Sequence, residues 1–363
     1  MSFFTGLTQS YSALSAKYGG FKAPVVKIAA GDSLITLAIS ALTAGTGLGL
    51  QSDSVSVTLN KDSASSASFT LVNNYSTELR TFIDKISVGS KLCIFMGYGS
   101  IYSLVFAGFV ETLSYEFSDK PMIKVTAFDA VKLMMDCGKQ ERIWENGGFY
   151  MVDFTEIMMN YLDICPVDVL DMKPTLKTHC MLVQKTNDYD YIKNSLCKFC
   201  DRDFVVSGGF GHFFNPYSKE SKVVTLGLGK GLTSFSFSPS YKKVSAIVSG
   251  DRLKNVRSKS SVATGLSYKN SMNKPQVITK ENMPFETVAD CKLYADRLVH
   301  DEICKAQTAS GTCVGIPLLT PGKTIGINGI DKRWNDKSFI LDSVTHTISA
   351  SGYTTSFGIK GWY

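Results

Sequence analysis

The sequence has no stretch of about 18 consecutive apolar residues, the length that a helix needs to cross a bilayer. Its first residues also lack the basic segment and apolar core of a secretion signal. We therefore expect no membrane anchoring by this chain. Residues 1–20 are interpreted as an N-terminal arm that is either ordered against a neighbouring subunit or partly frayed.

The sequence also has a modest net charge and no regular spacing of its cysteines. The nine cysteines are an odd number without a short repeating spacing, which is typical of free thiols in a reducing compartment, so we expect no disulfides. The net charge of +6 falls short of a dedicated nucleic-acid binder. Hydrophobic residues make up 44% of the 363 residues and charged residues 19%, which predicts a folded chain of two or three packed units.

The spacing of cysteine and histidine residues gives little support for a metal site. Cys197 and Cys200 have the spacing of half a zinc site, and His179 with Cys180 is the conceivable other half. Zinc needs four ligands at suitable spacing, and the sequence has no second Cys-x-x-Cys. The pair falls on a predicted helix beside Leu196, so we interpret both cysteines as core residues. We predict no metal site and no cofactor.

Catalytic patterns are weak as well. A serine or cysteine nucleophile needs a histidine and an orienting acid, and the four histidines are His179, His212, His300 and His346. We interpret His346 as a packing or hydrogen-bonding residue on a strand. Glu141 and Glu145 flank Trp144 and are interpreted as surface residues. Residues 227–231 are glycine-rich but lack the Gly-Lys-Ser/Thr ending of a phosphate loop, so they predict a hairpin turn. We predict no catalytic residues.

Residues 21–136 are predicted to form a first antiparallel β-barrel. Apolar residues alternate with polar ones at Val55, Val57 and Leu59, which is the period of a half-buried strand. Turn-prone residues 97–100 separate two further strands, as a hairpin requires.

Residues 137–240 are predicted to form a smaller α+β lateral domain. Asp153 and Glu156 have the capping-box spacing, which predicts a helix start near Phe154. A second helix is predicted from Asp190 to Cys200, because apolar residues recur there at helical spacing.

Residues 241–256 and 310–363 are predicted to form a second barrel, with a polar loop and helix inserted at 257–309. The inserted helix is predicted from Pro284 to about Ala306. The segment 251–282 is basic and polar, and we interpret it as a solvated loop or a subunit contact. Its notable side chains are Arg252, Lys254, Arg257, Lys259 and Tyr268.

The two β-rich parts repeat one another, which is the most informative feature of the sequence. In each part a turn glycine is followed by alternating apolar residues, then by a strand with apolar, acidic and hydroxyl positions in the same order, then by another strand. The aligned segments are 89–94 with 322–327 and 110–117 with 341–348, and the further strands are 123–128 and 355–359. We interpret this repeat as a duplication. The alternative is that the similarity reflects only the alternation of apolar residues that any two β-hairpins share.

On these residues the chain resembles the baseplate hub proteins of contractile tails. That family includes the phage late-control tail proteins and the hub portion of type VI secretion spike proteins. The resemblance covers most of the chain from Val25 onward. It is carried mainly by residues 315–322, 339–341, 344–348 and 353–355, and in the first half by Gly89, 105–108 and 125–129.

The resemblance implies a mainly β fold with α+β insertions, in which two similar antiparallel β-barrels carry a smaller α+β lateral domain. It implies a structural hub subunit rather than an enzyme: a homotrimer whose six barrels form a pseudo-hexameric ring between a six-fold tail tube and a trimeric spike. The implied partners are the tube protein, the spike protein and other baseplate proteins, with weak contact to DNA or cargo in the lumen. Because the sequence ends at Tyr363 without a needle, we expect a separate spike protein.

The implied location is the baseplate of a virion or tail-like particle assembled in the bacterial cytoplasm. Infective phages, tailocins and extracellular injection systems all fit this description. The main alternative function is a baseplate-associated cell-wall hydrolase, which requires a nucleophile or a carboxylate pair in a cleft. A carbohydrate-binding β-module is a further alternative, and it requires clustered exposed aromatic side chains.

Overall fold

The computed structural model describes residues 8–31, 51–72, 75–82, 86–144, 148–168, 182–216, 222–250, 256–257, 261–263, 276–285, 287–332, 334–335 and 337–362. The helices are α1 (Tyr11–Lys17), α2 (Ala130–Asp136), α3 (Tyr150–Met159), α4 (Asp188–Tyr191), α5 (Cys197–Phe199) and α6 (Val288–Ala306). A 3-10 turn covers Gly19–Phe21, and a π-helical segment, Ile192–Leu196, joins α4 to α5. None of the helices described here has the length and apolar character needed to span a membrane.

Strands make up most of the rest. Up to residue 128 they are β1 (Gln9–Ser10), β2 (Pro24–Gly31), β3 (Gln51–Asn60), β4 (Ser66–Val72), β5 (Tyr75–Ser76), β6 (Thr81–Phe82), β7 (Lys91–Tyr98), β8 (Ile101–Glu116) and β9 (Met122–Phe128). Those of the middle region are β10 (Arg142–Trp144), β11 (Val167–Asp168), β12 (Leu182–Gln184), β13 (Asp203–Ser207) and β14 (Phe210–Phe214). The remainder are β15 (Lys222–Leu228), β16 (Gly231–Pro239), β17 (Lys242–Gly250), β18 (Val256–Arg257), β19 (Ser261–Ala263), β20 (Gln276–Met283), β21 (Gln307–Val314), β22 (Thr324–Asn328), β23 (Ser338–Ser349) and β24 (Gly352–Trp362).

Two barrels of six strands each share one strand order. The first barrel runs β2-β7-β8-β9-β4-β3, with every neighbouring pair antiparallel. The second runs β15-β22-β23-β24-β21-β16. Counted along the chain, both follow the order 1-4-5-6-3-2. The predicted fold class, two similar barrels with an α+β lateral part, is confirmed.

The two barrels differ at their first strand. β2 is antiparallel to β7, whereas β15 is parallel to β22. β15 and β16 meet at Gly227 and Gly231, and this contact closes the second barrel. In the described part of the first barrel, β2 and β3 do not pair with each other.

The turn glycines of the aligned repeat occupy the same place in both barrels. Gly89 and Gly322 have φ of +86° and +85°, in the region where a side chain is strained. The N–H groups of Gly89 and Gly322 donate to the carbonyls of Val110 and Leu341, each over 2.8 Å. Val110 and Leu341 donate in return to the residue after each glycine, each over 2.9 Å. The hydrogen bonds therefore reproduce the register predicted from the sequence.

A β-bulge follows at the same position in each repeat. The ladder between β8 and β9 skips one residue and resumes at Thr112, and the ladder between β23 and β24 does so at Ser343. Leu113 and Val344 therefore occupy equivalent places. The predicted duplication is confirmed in topology and in register.

The interiors of the two barrels belong to one connected hydrophobic cluster. Burying each large apolar side chain contributes roughly 1.5–3 kcal/mol, so this cluster is a main source of stability. Its fully or almost fully buried members include Val57, Phe69, Ile94, Val125, Ile325, Phe339, Val344 and Phe357.

The N-terminal segment packs on the chain's own barrels. Leu14 on α1 and Tyr18, the C-cap residue four positions later, are buried in the barrel cluster, and β1 pairs with β15. Ser10 caps α1 by accepting a hydrogen bond from Ala13 N over 3.1 Å. Within the single chain, residues 8–20 are therefore packed and not frayed, and the assignment of residues 1–20 as an arm stays a prediction. Residues 1–7 lie outside the described residues.

The lateral part has a second hydrophobic cluster, formed by α2 to α6 and short sheets. This cluster also includes residues of the first barrel, namely Ala29, Cys93, Phe95 and Ala107. α3 begins at Tyr150, before the predicted start near Phe154, and Asp153 is buried inside it. The second helix begins two residues earlier than predicted because Asn187 accepts a hydrogen bond from Asp190 N over 2.7 Å. α6 begins after the N-cap Thr287 instead of at Pro284.

Strand membership differs from the predicted boundaries at two places. β15 and β16, predicted for the lateral domain 137–240, pair inside the second barrel. β17, predicted for that barrel in 241–256, pairs with β18, β19 and β20 in a separate sheet against α6. The alternation Val244, Ala246, Val248 fits either sheet, so the sequence pattern does not decide between them. The division of the chain into domains stays a prediction.

Candidate assembly surface

A strand pair between the barrels fuses them into one sheet. β3 of the first barrel pairs antiparallel with β23 of the second, from Asn60 opposite Ser343 to Val55 opposite Ile348. On the solvent side of this seam, the hydroxyls of Thr58 and Thr345 lie 3.3 Å apart. The result is a continuous antiparallel sheet of eight strands, β16-β21-β24-β23-β3-β4-β9-β8.

The outer face of this sheet is covered with hydroxyl groups. One side of each strand enters the barrel cluster, so alternate residues face outward. The outward residues are mainly serine and threonine: Ser54, Ser56, Thr58, Ser66, Ser68, Thr70, Thr112, Ser114, Thr126, Ser234, Ser236, Ser238, Thr308, Ser310, Thr312, Ser343, Thr345, Thr347, Thr354 and Ser356. We call this surface the hydroxyl face.

Among the described side chains, the charges on the hydroxyl face are paired. Lys124 forms an ion pair with Glu116 on the neighbouring strand. Lys360 lies 3.3 Å from Asp62 and 3.7 Å from Asp342, measured from Nζ to a carboxylate oxygen. The hydroxyl face is therefore polar and close to neutral, and it extends across both barrels.

A buried ionic cluster attaches the lateral part to the first barrel. Lys193 Nζ lies 2.6 Å from Asp203 Oδ1 and 3.0 Å from Asp62 Oδ1. Lys61 Nζ lies 2.6 Å from Asp203 Oδ2, and Arg297 approaches the same carboxylate at 3.9 Å. Lys61 and Asp62 belong to the turn after β3, whereas the other three residues belong to the lateral part and α6.

The cluster is ionised at neutral pH. Burial acts to raise the pKa of Asp203, but Lys193, Lys61 and Arg297 hold that pKa well below its usual range. Against the effect of its own burial, Asp62 has its pKa lowered to about 2 by Lys193 and Lys61. Burial opposes the charge of Lys193, yet Asp203 and Asp62 raise its pKa. Opposite charges compensate one another here, which indicates a structural role, and the sequence patterns did not reveal it.

His346 lies at the seam and forms a buried hydrogen-bond network. Its Nε2 is 3.0 Å from Leu319 O, and its Nδ1 is 2.9 Å from Tyr353 Oη and 3.1 Å from Thr355 Oγ1. Burial lowers its pKa to about 4, so the ring is neutral at pH 7. Nε2–H then donates to Leu319, and Nδ1 accepts from Tyr353. This is the structural hydrogen bonding predicted for His346.

The cysteines have the character of core residues. Cys197 and Cys200 are buried, and Cys200 Sγ donates to Leu196 O over 2.9 Å. Burial raises the pKa of Cys200 to about 12 and also raises that of Cys197. His179 and Cys180 lie outside the described residues. Within the part of the chain that is described, no three His, Cys, Asp or Glu side chains are grouped to hold a metal ion.

The other candidate residues lie apart. His212 Nε2 is 3.2 Å from Ser207 O, and His300 Nε2 is 3.1 Å from Cys304 Sγ. Glu141 is an exposed partner of a lysine, and Glu145 lies outside the described residues. So do Arg252, Lys254, Lys259 and Tyr268 of the basic loop.

The glycine-rich segment 227–231 is a turn, but β15 and β16 pair in parallel where they meet and do not form the predicted hairpin. Lys230 N donates to Gly227 O over 2.8 Å, and Gly227 N donates back to Lys230 O over 3.2 Å. Gly229 between them has φ of +72°. These backbone groups bind each other, so the segment is a tight connection between β15 and β16.

Comparisons with known proteins found similarity in structure but not in sequence. No family model and no curated protein sequence matches the chain. The fold is similar to a tail protein from Neisseria meningitidis, with a TM-score of 0.65 and 12% identity over 93% of this chain and 96% of that one. A 43 kDa tail protein of prophage MuSo2 from Shewanella oneidensis gives 0.63 and 13% over 93% and 97%.

A third similar structure is a component of the type VI secretion system from E. coli, described as structurally similar to two bacteriophage T4 tail proteins. It gives a TM-score of 0.52 and 11% identity over 87% of this chain and 76% of that one. At such identities the comparisons show the fold alone. The resemblance inferred from the sequence is confirmed at that level.

Proposed function

We propose that this chain, whose fold is that of phage tail proteins and of spike-like proteins of type VI secretion, is a structural subunit of a contractile-tail baseplate hub. Three copies form a ring of six barrels. One side of the ring meets the six-fold tail tube, and the other meets a trimeric spike and further baseplate proteins.

The observation that carries this proposal is the seam between β3 and β23. It joins two equivalent barrels by pairing strands that are not equivalent, which is a head-to-tail contact. Repeating a head-to-tail contact between similar units generates a closed ring or an open helix. Two barrels in each chain allow three chains to match a six-fold partner while keeping three-fold symmetry for the spike.

The hydroxyl face lines the channel of this ring in our proposal. Strong binding to DNA requires clustered lysine and arginine side chains that displace counterions from phosphates. The charges on the hydroxyl face are few and paired, and hydroxyl groups form only weak, exchangeable contacts with a passing polymer. Such a surface suits the passage of DNA or protein cargo.

The proposed role is geometric rather than catalytic. The ionisable groups of the ionic cluster and of the His346 network have strongly shifted pKa values, and they are occupied in structural contacts. Cell-wall hydrolysis, the alternative considered from the sequence, needs an activated nucleophile or a carboxylate pair. The contact between Cys304 and His300 does not supply an activated thiol, because burial raises the pKa of Cys304 to about 11 and lowers that of His300 to about 4. A zymogram against bacterial cell walls is the direct control.

The assembly is tested by mass photometry of the purified chain, alone and co-expressed with its tube and spike proteins. We expect a species of three times the 39.7 kDa chain mass. Electron-microscopy class averages of that species should show six lobes around a channel. A strictly monomeric protein under both conditions would contradict the proposal.

A further inference from the structure

The chain also contains the equivalents of the two strands that form the β3–β23 seam, and these equivalents do not pair with each other within the chain. In the shared strand order, β8 is the equivalent of β23, and β16 is the equivalent of β3. Because β3 pairs with β23 within the chain, the same contact between copies would pair β16 of one copy with β8 of the next. This reasoning rests on the proposed ring and specifies its contact.

The register of this second contact follows from shared neighbours. Val110 and Leu341 are equivalent, and two ladder steps lead from them to Ala67 on β4 and to Ala309 on β21, so these two alanines are equivalent. Val57 lies opposite Ala67, and Phe237 lies opposite Ala309, so Val57 corresponds to Phe237. Thr58 therefore corresponds to Ser238.

The other strand is aligned by the bulge. The residues where the ladder resumes, Thr112 and Ser343, are equivalent, so Ser114 corresponds to Thr345. The pair Thr58 and Thr345 faces across the internal seam. Its counterpart between copies is therefore Ser238 facing Ser114.

Both strand edges needed for this contact lack a strand partner in the described residues. Beyond its bulge, β8 pairs with β9 on one side only. From Ser234 to Pro239, β16 pairs with β21 on one side only. Open edges of this kind favour pairing with another chain.

The apolar side chains along the two edges are complementary. Tyr115 and Phe117 are exposed by 41% and 72%. In the derived register they lie opposite Phe237 and Phe235. Those two phenylalanines line a mainly apolar groove of about 490 Å³, together with Leu228, Pro239, Ile330, Trp334 and one charged residue, Asp331. The aromatic end of one copy thus fits the groove of the next.

We infer that the ring is closed by antiparallel pairing of β8 in one copy with β16 in the next, with Ser114 opposite Ser238 and Tyr115 opposite Phe237. The hydroxyl face then continues without interruption around the channel. Pro239 has no N–H to donate, so the ladder ends there. The pairing therefore spans the segment from Phe235 to Pro239.

Engineered disulfides test this register. Ser114→Cys with Ser238→Cys places two thiols at the predicted pair, where strand neighbours are close enough to bond. The matched control within one chain is Thr58→Cys with Thr345→Cys, whose hydroxyls lie 3.3 Å apart. An off-register control combines Ser114→Cys with Ser236→Cys, about 7–8 Å apart on the diagonal. Wild-type protein and single variants report any bonding of native cysteines.

After mild oxidation, the Ser114→Cys/Ser238→Cys protein should shift from one to three chain masses on a non-reducing gel, and the intrachain control should stay at one. A ring seen by mass photometry without this shift, or with an equal shift of the off-register pair, would overturn the inferred register and leave the hub function standing. A monomer by mass photometry whose intrachain control still oxidises would overturn the ring and the strand pairing together.

Discussion

Acid should weaken the second barrel through His346. The side chain is fully buried, and burial lowers its pKa from 6.5 to about 4. His346 therefore binds a proton more tightly in the unfolded chain than in the folded chain. The contribution of the neutral, buried His346 to stability is complete above pH 6.5 and is lost as the pH falls towards 4. At about 1.4 kcal/mol per unit of pKa difference, the lowering from 6.5 to about 4 corresponds to about 3 kcal/mol of unfolding free energy.

The measurement is urea unfolding at a series of pH values from 7 to 4, followed by tryptophan fluorescence. Trp334 and Trp362 belong to the barrel cluster and report on it. His346→Gln keeps a donor and an acceptor but has no titrating ring. Between pH 7 and pH 4 the wild-type protein should lose about 3 kcal/mol more unfolding free energy than this variant.

His300 provides the control for this measurement. Burial also lowers its pKa to about 4, so it contributes to the same pH window from a different element. The effect of His346→Gln should therefore persist in a His300→Gln background. Parallel curves of unfolding free energy against pH for the wild-type and His346→Gln proteins would refute the reasoning, because they would mean that His346 takes up no proton on unfolding.

Three further predictions concern other parts of the molecule. Lys193→Met removes the lysine that bridges the buried Asp203 and the half-exposed Asp62. Because Lys61 still pairs with Asp203, the loss of unfolding free energy in urea should be about 3 kcal/mol, against about 0–1 kcal/mol for the more exposed Lys360→Met. Equal losses would contradict a structural role of the cluster. Phe117→Glu should weaken self-association at least about tenfold in mass photometry, because it places a charge in the inferred contact. Leu79→Glu should not weaken self-association, because Leu79 is equally exposed but lies outside that contact. Gly322→Ala should cost about 1–2 kcal/mol in thermal unfolding because its φ is +85°, and an unchanged melting temperature would argue against strain there.

The duplication could be predicted because its signals are local. A glycine with positive φ is required at Gly89 and Gly322 whatever surrounds them, and alternation fixes which residues of the following strands face inward. The acid at the bulge, Glu111 or Asp342, marked the same register in both halves. Local backbone chemistry was therefore enough to align the two barrels.

The boundaries could not be predicted in the same way. β16 and β17 both alternate, yet one lies in the barrel and the other against α6. The alternation of apolar and polar residues indicates that a strand has a buried side, but it does not identify the element that covers that side. The N-terminal helix was missed for a related reason, since Leu14 and Tyr18 make a short apolar stripe whose partner is distant in sequence.

That the chain is built from two copies of one barrel follows from local patterns, because turn geometry and side-chain period act over a few residues. The folded chain was needed to show that β3 pairs with β23, that Lys193 contacts Asp203 and Asp62, and that the serine and threonine residues of eight strands share one face. Each of these contacts joins residues far apart along the chain. Their energies depend on burial and distance, which no local pattern specifies.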